Sequence, residues 1–522
     1  MSTAALSQPL MASSRAEVSP WIKWPLTAGL ALACLYLVFA IIAAGQYLWG
    51  AGILILFASG FYVYLSNASF AYRYLFPGVI GMLLFVAFPL IYTFQLGFTN
   101  YSSSNLLSED RARQYLLDQQ EYDEAEALAY HLHADGKEFR VVLRQGDDPI
   151  WVSGPLALRT GKTPPVVALQ TPSQASFAIG QPLGLREVIE HREVLQQLKL
   201  QVPGGEELRY VGLREFAPMH RLWRANADGS LTETATGRTY IPNRDTGFFT
   251  AADGSTLQPG FKVFVGWKNY SRMLGDADFR GPFMAIFVWT VVFAGLTVLF
   301  SLAVGMSLAV LLNWEGLRFR TTYRTLLFLP YAVPGFISIL VFKGLFNQNF
   351  GEINALLDAL VGIKPAWFAD PFLAKVMILI VNTWLGYPYI MILCAGLLKA
   401  IPADLYEASA LAGAGPLTNF FKITIPQIIK PLTPLLISAF AFNFNNFVLI
   451  ALLTDGRPDF LNTKLPAGQT DILVSYTYRI AFRDSGQDFG LAAAISTLIF
   501  ILVALLSIAN LRLTKSNDSG AR

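Results

Sequence analysis

The chain has 522 residues, of which 54% are hydrophobic and only 14% are charged, and its mean hydropathy is +0.44. Soluble domains usually carry about 25% charged residues, so much of this chain is expected to lie in lipid. The formal net charge of +3 is too small to indicate a nucleic-acid partner. Both cysteines, Cys34 and Cys394, lie inside apolar runs, so the sequence excludes a disulfide framework.

Three apolar runs follow a polar start that is rich in Ser and Ala. The start, residues 1–20, is predicted to be a cytoplasmic tail, and the runs cover residues 24–44, 48–66 and 74–98. Each run is close to the ~20 residues that a helix needs to span the hydrocarbon core. The first run is too long for a cleavable signal peptide, and no small-residue cleavage site follows it. We therefore predict that residues 1–98 form a tail and three transmembrane helices.

Between residues 99 and 281 the sequence becomes polar and rich in turn signals such as Pro203-Gly204-Gly205. The periodicity predicts a helix over 106–132 and strands at 139–143 and 261–265. About 180 residues can bury a core of their own, so we predict a folded α+β domain inserted between two spans. No ligand cluster surrounds the four histidines of this region, so we predict solvated side chains and no metal site. They are His131, His133, His191 and His220.

Five further apolar runs bring the number of predicted spans to eight, at 283–313, 323–346, 373–398, 432–453 and 489–511. Residues 282–513 are predicted to form a membrane core with a polar loop at 400–431, and residues 514–522 a cytoplasmic tail. Lysine and arginine residues near the span ends place both termini and the 400–431 loop in the cytoplasm, and the inserted domain outside. The loop at 454–488 runs against this rule because it carries four basic residues, partly offset by aspartates.

Two of the predicted spans carry polar and aromatic residues at helical spacing. They are Asn382, Leu385, Gly386 and Tyr389 in one span, and Phe442, Asn443 and Asn446 in the next. Polar groups at mid-span are costly unless they pair or face a cavity. Amides and a phenol beside aromatic rings suit a neutral sugar, whose hydroxyls need polar partners and whose apolar face stacks on rings. Hydrogen bonding between helices is the alternative, and the residues alone leave both interpretations open.

The 400–431 loop has the composition of two short helices rather than of a span. Asp404 is predicted to cap the first helix, Gly413 and Gly415 to end it, and Pro416 to begin the second. The loop resembles the EAA loop of ABC-importer permeases, whose pattern is E-A-A, three residues, Gly, nine residues, I-x-L-P. The matching residues are Glu407, Ala408, Ser409, Gly413, Ile423 and Pro426, with Ser409 and Ile425 as mild departures. An ordinary linker of two helices is the alternative.

The resemblance extends to longer segments of the second half of the chain. The stretches FLPYAVP at 328–334, GLFNQ at 344–348, NTWLGYP at 382–388 and AFNFNNF at 441–447 resemble the MalF family, the larger permease subunits of bacterial maltose/maltodextrin ABC importers. Eight spans and a large insertion after the third are features of the same family. The resemblance implies a type I ABC-importer permease fold in the bacterial inner membrane, and an immunoglobulin-like core for the inserted periplasmic domain.

The resemblance also implies partners and site residues. The expected partners are a MalG-type permease subunit, two ATPase subunits and a periplasmic maltose-binding protein. The seven polar and aromatic residues of the two spans are expected to bind maltose or maltodextrin, and the six loop residues to dock on an ATPase subunit. Where the family has Ser three residues before Phe442, this chain has Ala439, with Ser438 one position earlier. No cofactor is expected in this chain, because ATP and magnesium would bind to the partner subunits.

Two other functions predict features that the sequence lacks. A secondary transporter needs ionisable residues at mid-span to bind the coupling ion, and the nearest, Lys343, lies at a span end. A receptor needs a cytoplasmic effector domain, for which the loops are too short. Gly161-Lys162-Thr163 ends like a phosphate-binding loop, but Leu156 replaces the required glycine. The chain is therefore predicted to be a transporter subunit and not an enzyme.

Overall fold

The computed structural model describes residues 20–66, 70–146, 148–158, 166–175, 179–314, 316–461, 463, 466–483 and 487–519. The chain divides into two compact units, Met1–Tyr92 and Thr93–Arg522. Most of the predicted amino-terminal tail lies outside the described residues. At the other end, the last helix continues to Ser519, so most of the predicted tail at 514–522 is helical.

The apolar runs of the first unit are helical, as predicted. They form α1 (Pro20–Ala43), α2 (Tyr47–Leu65), α3 (Tyr72–Met82) and α4 (Phe88–Leu96), with a π-helical turn (Leu83–Ala87) joining the last two. The helix from Tyr72 to Leu96 has 25 residues and Trp21–Ala43 has 23, which is enough to cross the hydrocarbon core, whereas Trp49–Leu65 is shorter.

The inserted domain begins with a shorter helix than the sequence suggested. Helix α5 (Glu109–Leu117) starts at Ser108, whose Oγ accepts a hydrogen bond from the Arg111 amide at 3.4 Å. The predicted helix over 106–132 is wrong beyond Leu117, because the chain turns there and then enters a strand from Leu128 to Asp135. Buried Tyr130 and Leu132 alternate along that strand, and this period of two favours a sheet.

Seven strands of the inserted domain close into a barrel. They are β2 (Leu128–Asp135), β3 (Glu138–Gln145), β4 (Asp148–Ser153), β5 (Val166–Gln170), β6 (Lys199–Gln201), β7 (Glu207–Gly212) and β8 (Glu215–Pro218). β8 pairs with β2 to close the ring, and β5 runs parallel to β6. The connection between these two parallel strands carries α6 (Leu185–Glu190) and α7 (Arg192–Gln197). Continuous pairing around the ring differs from the two separate sheets that an immunoglobulin-like core implies.

A small second sheet lies between the barrel and the return of the chain to the membrane core. It consists of β10 (Trp223–Ala225), β11 (Leu231–Glu233), β12 (Thr239–Asn243) and β13 (Phe248–Ala251), while β1 (Gln120–Glu121) pairs separately with β9 (His220–Arg221). Leu116 of α5 packs into the same apolar core as Phe249 and Phe261. The predicted strand at 261–265 is wrong: only isolated bridges form there, at Phe261 and Phe264.

Asparagine side chains hold that segment instead, in a neck that we define as residues 97–107 and 246–270. Asn100 Nδ2 donates to the carbonyls of Thr246 (3.0 Å) and Phe261 (3.2 Å), and Asn105 Nδ2 donates to those of Gly247 (2.9 Å) and Phe261 (3.1 Å). Asn269 Nδ2 donates to two carbonyls at the start of the neck. The chain therefore enters and leaves the inserted domain at adjacent points that are bonded to each other.

The membrane core follows the neck. Its helices are α8 (Lys268–Gly275), α9 (Ala277–Asn313), α10 (Arg320–Ala332), α11 (Gly335–Leu345), α12 (Glu352–Val361), α13 (Pro371–Leu398), α14 (Ala403–Leu411), α15 (Pro416–Asn419), α16 (Ile425–Phe444), α17 (Phe447–Leu453), α18 (Leu473–Phe482) and α19 (Phe489–Ser519). A π-helical turn (Phe420–Thr424) joins α15 to α16.

Two predicted spans of the core are broken. The span at 323–346 is the pair α10 and α11, bent by 92° at Val333 and Pro334, because a residue that precedes proline is disfavoured in a helix. The span at 432–453 ends its first helix at Phe444 and resumes at Phe447. Within the described residues, six helices are long and apolar enough to span a membrane alone. The bent pair and the shorter α2 account for the remaining two of the eight predicted spans.

Helices α9 and α13 pack closely at one glycine. A Cβ added to Gly305 would lie 2.9 Å from both the Met391 amide nitrogen and the Tyr387 carbonyl oxygen. These are backbone atoms, which cannot move independently, so the two helix axes approach closely only because Gly305 has no side chain. Buried Ala309 and Cys394 belong to the apolar core on the same side of the membrane core. This contact fixes the relative position of the two helices that carry much of the candidate site.

Candidate functional site

A cavity with a volume of about 860 Å³ lies inside the membrane core. It is lined by the middle of α9 and α13, the bend between α10 and α11, the second half of α16 and the start of α17. All seven residues predicted to bind substrate line it, namely Asn382, Leu385, Gly386, Tyr389, Phe442, Asn443 and Asn446. The volume exceeds the lower limit of ordinary small-molecule sites, about 300 Å³, and the walls are mostly apolar with a few converging polar groups.

Three of the seven residues form one hydrogen-bond network. Asn382 Nδ2 donates to Asn443 Oδ1 at 2.7 Å and to Thr297 Oγ1 at 3.2 Å, and Asn446 Nδ2 donates to Asn382 Oδ1 at 3.3 Å. The network joins α9, α13, α16 and the start of α17. Asn382 and Asn443 are both buried. Hydrogen bonding between helices, which the sequence left open, is therefore present.

The same network leaves hydrogen-bonding capacity at the cavity. Asn443 Nδ2 makes one further bond, to the Ala439 carbonyl at 2.8 Å, which leaves one N–H of Asn443 and one of Asn446 without a partner among the described residues. Asn446 was expected to share a helix face with Asn443, but it lies beyond the end of α16. Its Oδ1 caps α17 by accepting from the Leu449 amide at 3.4 Å. The break in the span therefore directs this amide to the cavity.

Aromatic side chains and a glycine shape the rest of the wall. Tyr389 is 44% exposed and Phe442 is 72% exposed, so both present ring surface to the cavity and its surroundings. A Cβ added to Gly386 would lie 2.8 Å from Ser301 Oγ, so the missing side chain allows α9 and α13 to approach each other here. Exposed rings beside free amide donors are a suitable lining for a polar ligand with apolar faces.

Two hydroxyl groups on α9 line the cavity and were missed in the sequence. Thr297 and Ser301 lie one helical turn apart on α9, inside an apolar run that gave no reason to single them out. Ser301 Oγ is buried and has no partner among the described residues. Ser438 and Ala439 both line the cavity as well, although the Ser438 hydroxyl bonds the Pro434 carbonyl of its own helix at 2.9 Å. Two hydroxyl side chains spaced four residues apart within an apolar run are the sequence signal that could have identified Thr297 and Ser301.

The predicted coupling loop forms two short helices at one edge of the membrane core. Gly413 has φ of +76°, a left-handed conformation that ends α14, and Pro416 begins α15 as predicted. Asp404 does not cap α14: Pro402 occupies the cap position, and Asp404 lies in the first turn, where its charge favours the helix amino terminus. Ser409 Oγ donates to Asn419 Oδ1 and fixes the angle between the two helices.

The loop residues that match the pattern divide between the surface and the interior. Glu407, Ala408, Gly413 and Pro426 are exposed, whereas Ser409 and Ile423 are half-buried. Apolar side chains at the turn are also exposed, with Leu411 92% and Leu417 74% accessible. Solvated loops rarely expose such side chains together unless a partner covers them.

Two protein-family models match this chain, one over the inserted domain and one over the membrane core. Residues 107–266 match the family model of the maltose transport system permease protein MalF P2 domain. Residues 301–515 match the model of the binding-protein-dependent transport system inner membrane component. The maltose/maltodextrin transport system permease protein MalF of Yersinia pestis is 50% identical over 98% of this chain and 98% of its own length. The chain belongs to the MalF family.

Other MalF proteins are similar to the same extent. The protein of Klebsiella aerogenes is 51% identical over 95% of this chain and 97% of its own length, and that of Escherichia coli K12 is 50% identical over 95% and 96%. Among solved structures, a bacterial ABC transporter that imports the acidic polysaccharide alginate matches 48% of this chain and 84% of its own at 20% identity, with a TM-score of 0.40. The resemblance inferred from the coupling loop and the four motifs is confirmed. The chain is a membrane permease subunit without an ATPase of its own.

In this MalF-family chain two arginines at the end of α18 pair with aspartates of the loop between α17 and α18. Arg479 pairs with Asp471 at 3.0 Å and with Asp459 at 2.7 Å, and Arg483 pairs with Asp455. Asp471 is fully buried, so this ion pair is shielded from water and fixes the fold of the loop. These pairs neutralise two of the four basic residues that the sequence places between residues 454 and 488.

The histidines of the P2 domain are not gathered into a metal site. Burial lowers the pKa of His133 and of His131, whereas hydrogen bonding to Glu126 raises the pKa of His220, which lies at the surface. His131 and His133 were expected to be solvated, but His133 is buried in the barrel wall. No group of three or more potential metal ligands occurs among the described residues. The Gly161-Lys162-Thr163 segment lies outside them.

Proposed function

We propose that this chain moves maltose and maltodextrins across the inner membrane through the 860 Å³ cavity, by alternating access driven by ATP hydrolysis in separate subunits. The observation that carries the proposal is the convergence of all seven predicted sugar-binding residues on one cavity in a chain that is 50% identical to proteins named maltose/maltodextrin permeases. The free amide donors would bind sugar hydroxyls, and the rings of Tyr389 and Phe442 would contact the apolar faces of the glucose units.

The coupling loop is proposed to dock on an ATPase subunit. Glu407 would lie at the docking surface, and the exposed Leu411 and Leu417 would be covered by the partner. Gly413 supports this role because its left-handed conformation allows the tight turn between α14 and α15. ATP and magnesium would bind in that partner, so the residues of this chain would move with the nucleotide cycle without contacting the nucleotide.

The remaining partners follow from the same assignment. A MalG-type permease subunit is proposed to complete the pathway, with two ATPase subunits on the cytoplasmic side and a maltose-binding protein on the periplasmic side. Charges at the span ends support cytoplasmic termini, and with that orientation the coupling loop would lie beside the ATPases and the inserted domain in the periplasm. The size of that domain, with a barrel and a second sheet, suits contact with a soluble binding protein.

Uptake measurements in cells test the proposal. This chain replaces the resident permease of a strain that retains the other subunits, and uptake of labelled maltose, maltotriose, sucrose and lactose is compared. We expect accumulation of maltose and maltotriose only, which stops when the binding protein or the ATPase subunit is deleted. A protonophore applied at constant ATP should leave the initial rate unchanged. Uptake that survives loss of the ATPase and stops with the protonophore would instead identify a secondary transporter.

A further inference from the structure

A second, smaller pocket lies at the edge of the membrane core that carries the coupling loop. Its volume is about 230 Å³, and it is lined by Leu312, Arg324, Met391, Ile392, Ala395, Gly396 and Lys399. Leu312 lies at the end of α9, Arg324 in the second turn of α10, and Lys399 caps the end of α13 just before the coupling loop. No residue of this pocket lines the transport cavity, so the two sites are separate.

The pocket combines apolar walls with two cationic side chains. Arg324 and Lys399 are exposed, and neither side chain makes a hydrogen bond or an ion pair within the part of the chain that the structure describes. Two cations in one small pocket repel each other, and a single anion between them would convert that repulsion into attraction. The walls formed by α9 and α13 have no polar side chain that would suit a fully hydrated ligand. The ligand therefore needs an anionic part and an apolar part.

The surroundings of the pocket are typical of a membrane interface. The segment that joins α9 to α10, together with the first turn of α10, exposes Trp314 (66%), Phe319 (74%) and Tyr323 (45%). Aromatic side chains are enriched at the level of the lipid headgroups, where an apolar ring can lie beside water. Arg318 and Arg320 lie in the same stretch but do not line the pocket. Exposed aromatic rings beside basic side chains are the composition expected at the level of the phospholipid headgroups.

We propose that this pocket binds an anionic phospholipid. The phosphate lies between Arg324 and Lys399, and the first part of an acyl chain lies against Leu312, Met391 and the small residues Ala395 and Gly396. Basic pockets between transmembrane helices at the membrane surface are known to take such headgroups. The lipid would connect the ends of α9, α10 and α13 directly before the coupling loop, and so would stabilise the base from which that loop projects.

The test uses the assembled transporter purified in detergent and titrated with phosphatidylglycerol or with phosphatidylcholine of the same acyl chains. Native mass spectrometry measures the lipid retained. The double variant Arg324→Gln, Lys399→Gln removes both charges, and Arg318→Gln, Arg320→Gln is the matched control outside the pocket. We expect phosphatidylglycerol to be retained preferentially. Its affinity should fall about fivefold for one charge and about thirtyfold for both, and remain unchanged in the control.

A third variant tests the apolar wall without changing charge. A Cβ added to Gly396 meets no atom within 4 Å, so Gly396→Leu fills the pocket without displacing backbone. It should weaken phosphatidylglycerol binding, while Gly344→Leu, at a similarly open glycine of α11, should not. If the double-charge variant is recovered poorly, the single variant Lys399→Gln is used instead, and its affinity for phosphatidylglycerol should fall about fivefold.

Four results would overturn the proposal. The first is equal retention of the two lipids, and the second is a thirtyfold loss in the Arg318, Arg320 control. The third is binding of inorganic phosphate as tightly as phosphatidylglycerol, which would identify a site for a free anion. The fourth is loss of the partner permease from the purified complex with lipid binding intact, which would make the pocket a subunit contact. None of these measurements depends on which sugar is transported.

Discussion

The amide nitrogen of Asn382 on α13 lies 2.7 Å from the amide oxygen of Asn443 on α16, and this hydrogen bond crosses the wall of the transport cavity. The bond satisfies two buried polar groups when no ligand is present. A sugar that binds to Asn443 must therefore compete with, or add to, an existing contact. Because the bond also joins two helices, we expect sugar binding at this point to change the separation of α13 and α16.

Truncation of this amide should reduce transport more than assembly. In Asn443→Ala a sugar hydroxyl loses its partner, which costs roughly 1–3 kcal/mol, and maltose uptake should fall about fivefold to more than a hundredfold. Asn445→Ala is the control, because Asn445 does not line the cavity and bonds the Ala441 carbonyl of its own helix. Uptake, complex yield and ATPase activity stimulated by the binding protein are measured in the same membranes. A fall in uptake that merely follows yield would assign Asn443 to helix packing, worth about 0.6 kcal/mol.

A methyl group at Gly305 should separate α9 from α13. The Cβ of Gly305→Ala would approach two backbone atoms of α13 at 2.9 Å, and overpacking of this kind costs about 1–3 kcal/mol. We expect a lower melting temperature and a lower yield of the detergent-purified complex. Gly281→Ala lies on the same helix with no atom within 4 Å of the new Cβ and should behave as wild type. Equal stability of the two variants would refute the close approach at Gly305.

Two substitutions in the coupling loop should lower transport and stimulated ATP hydrolysis together. Gly413→Val forces a β-branched residue into a left-handed conformation and distorts the turn, whereas Gly415 has φ of −81° and should accept Ala. Glu407→Lys reverses an exposed charge at the proposed docking surface. Both Gly413→Val and Glu407→Lys should reach the membrane at normal levels but lose uptake and stimulated ATPase activity together. Full activity of both variants would remove the loop from the coupling mechanism.

Acid should destabilise the β-barrel of the inserted domain through His133. Burial lowers the pKa of His133 below 6.5, so the unfolded state binds more protons in the interval between the two values. Above pH 6.5 His133 is neutral in both states, and the free energy of unfolding of the barrel is at its full value. It decreases as pH falls through that interval. His220 has the opposite sign, because its pKa is raised, but its exposure makes the effect small.

Hydrogen exchange of the full-length protein measures this effect. Protection of β2 and β3 should decrease between pH 7 and pH 5 in the wild type and vary less in His133→Leu. In the control His220→Gln, protection of β2 and β3 should decrease between pH 7 and pH 5 at least as much as in the wild type. The reason is that this substitution removes the contribution of His220, which has the opposite sign to that of His133. A pH dependence that is the same in the wild type and in His133→Leu would contradict the assignment.

The sequence predicted those features that depend on local periodicity and spacing. The seven cavity residues were identified from helical spacing together with the resemblance to the MalF family, and the long apolar helices and the turn at Gly413 follow from patterns within about twenty positions. The break after Phe444 did not, because Asn445 and Asn446 interrupt an otherwise continuous apolar run without proline or glycine. Ser301 and Thr297 were missed because their importance comes from opposing Gly386 and Asn382 on another helix.

The fold of the inserted domain was predicted less completely from local sequence patterns than that of the membrane core. The alternation of residues 128–135 is visible in the sequence, but the preceding helix pattern concealed where it begins. Closure of the barrel depends on pairing between β2 and β8, which are about eighty residues apart, and no local pattern specifies that contact. The segment at 261–265 has strand-like composition, yet Asn100 and Asn105 bond its backbone in place of a neighbouring strand.

The neck has a consequence for the evolution of genes that encode such chains. Because Asn100 bonds the carbonyl of Thr246 at 3.0 Å, the two ends of the intervening polypeptide lie side by side, like the ends of a closed loop. A coding segment between these points can be lengthened, exchanged or lost by recombination without altering the register of the flanking spans. The membrane core and the periplasmic insert can therefore diverge at different rates within one reading frame, provided that the residues of the neck are retained.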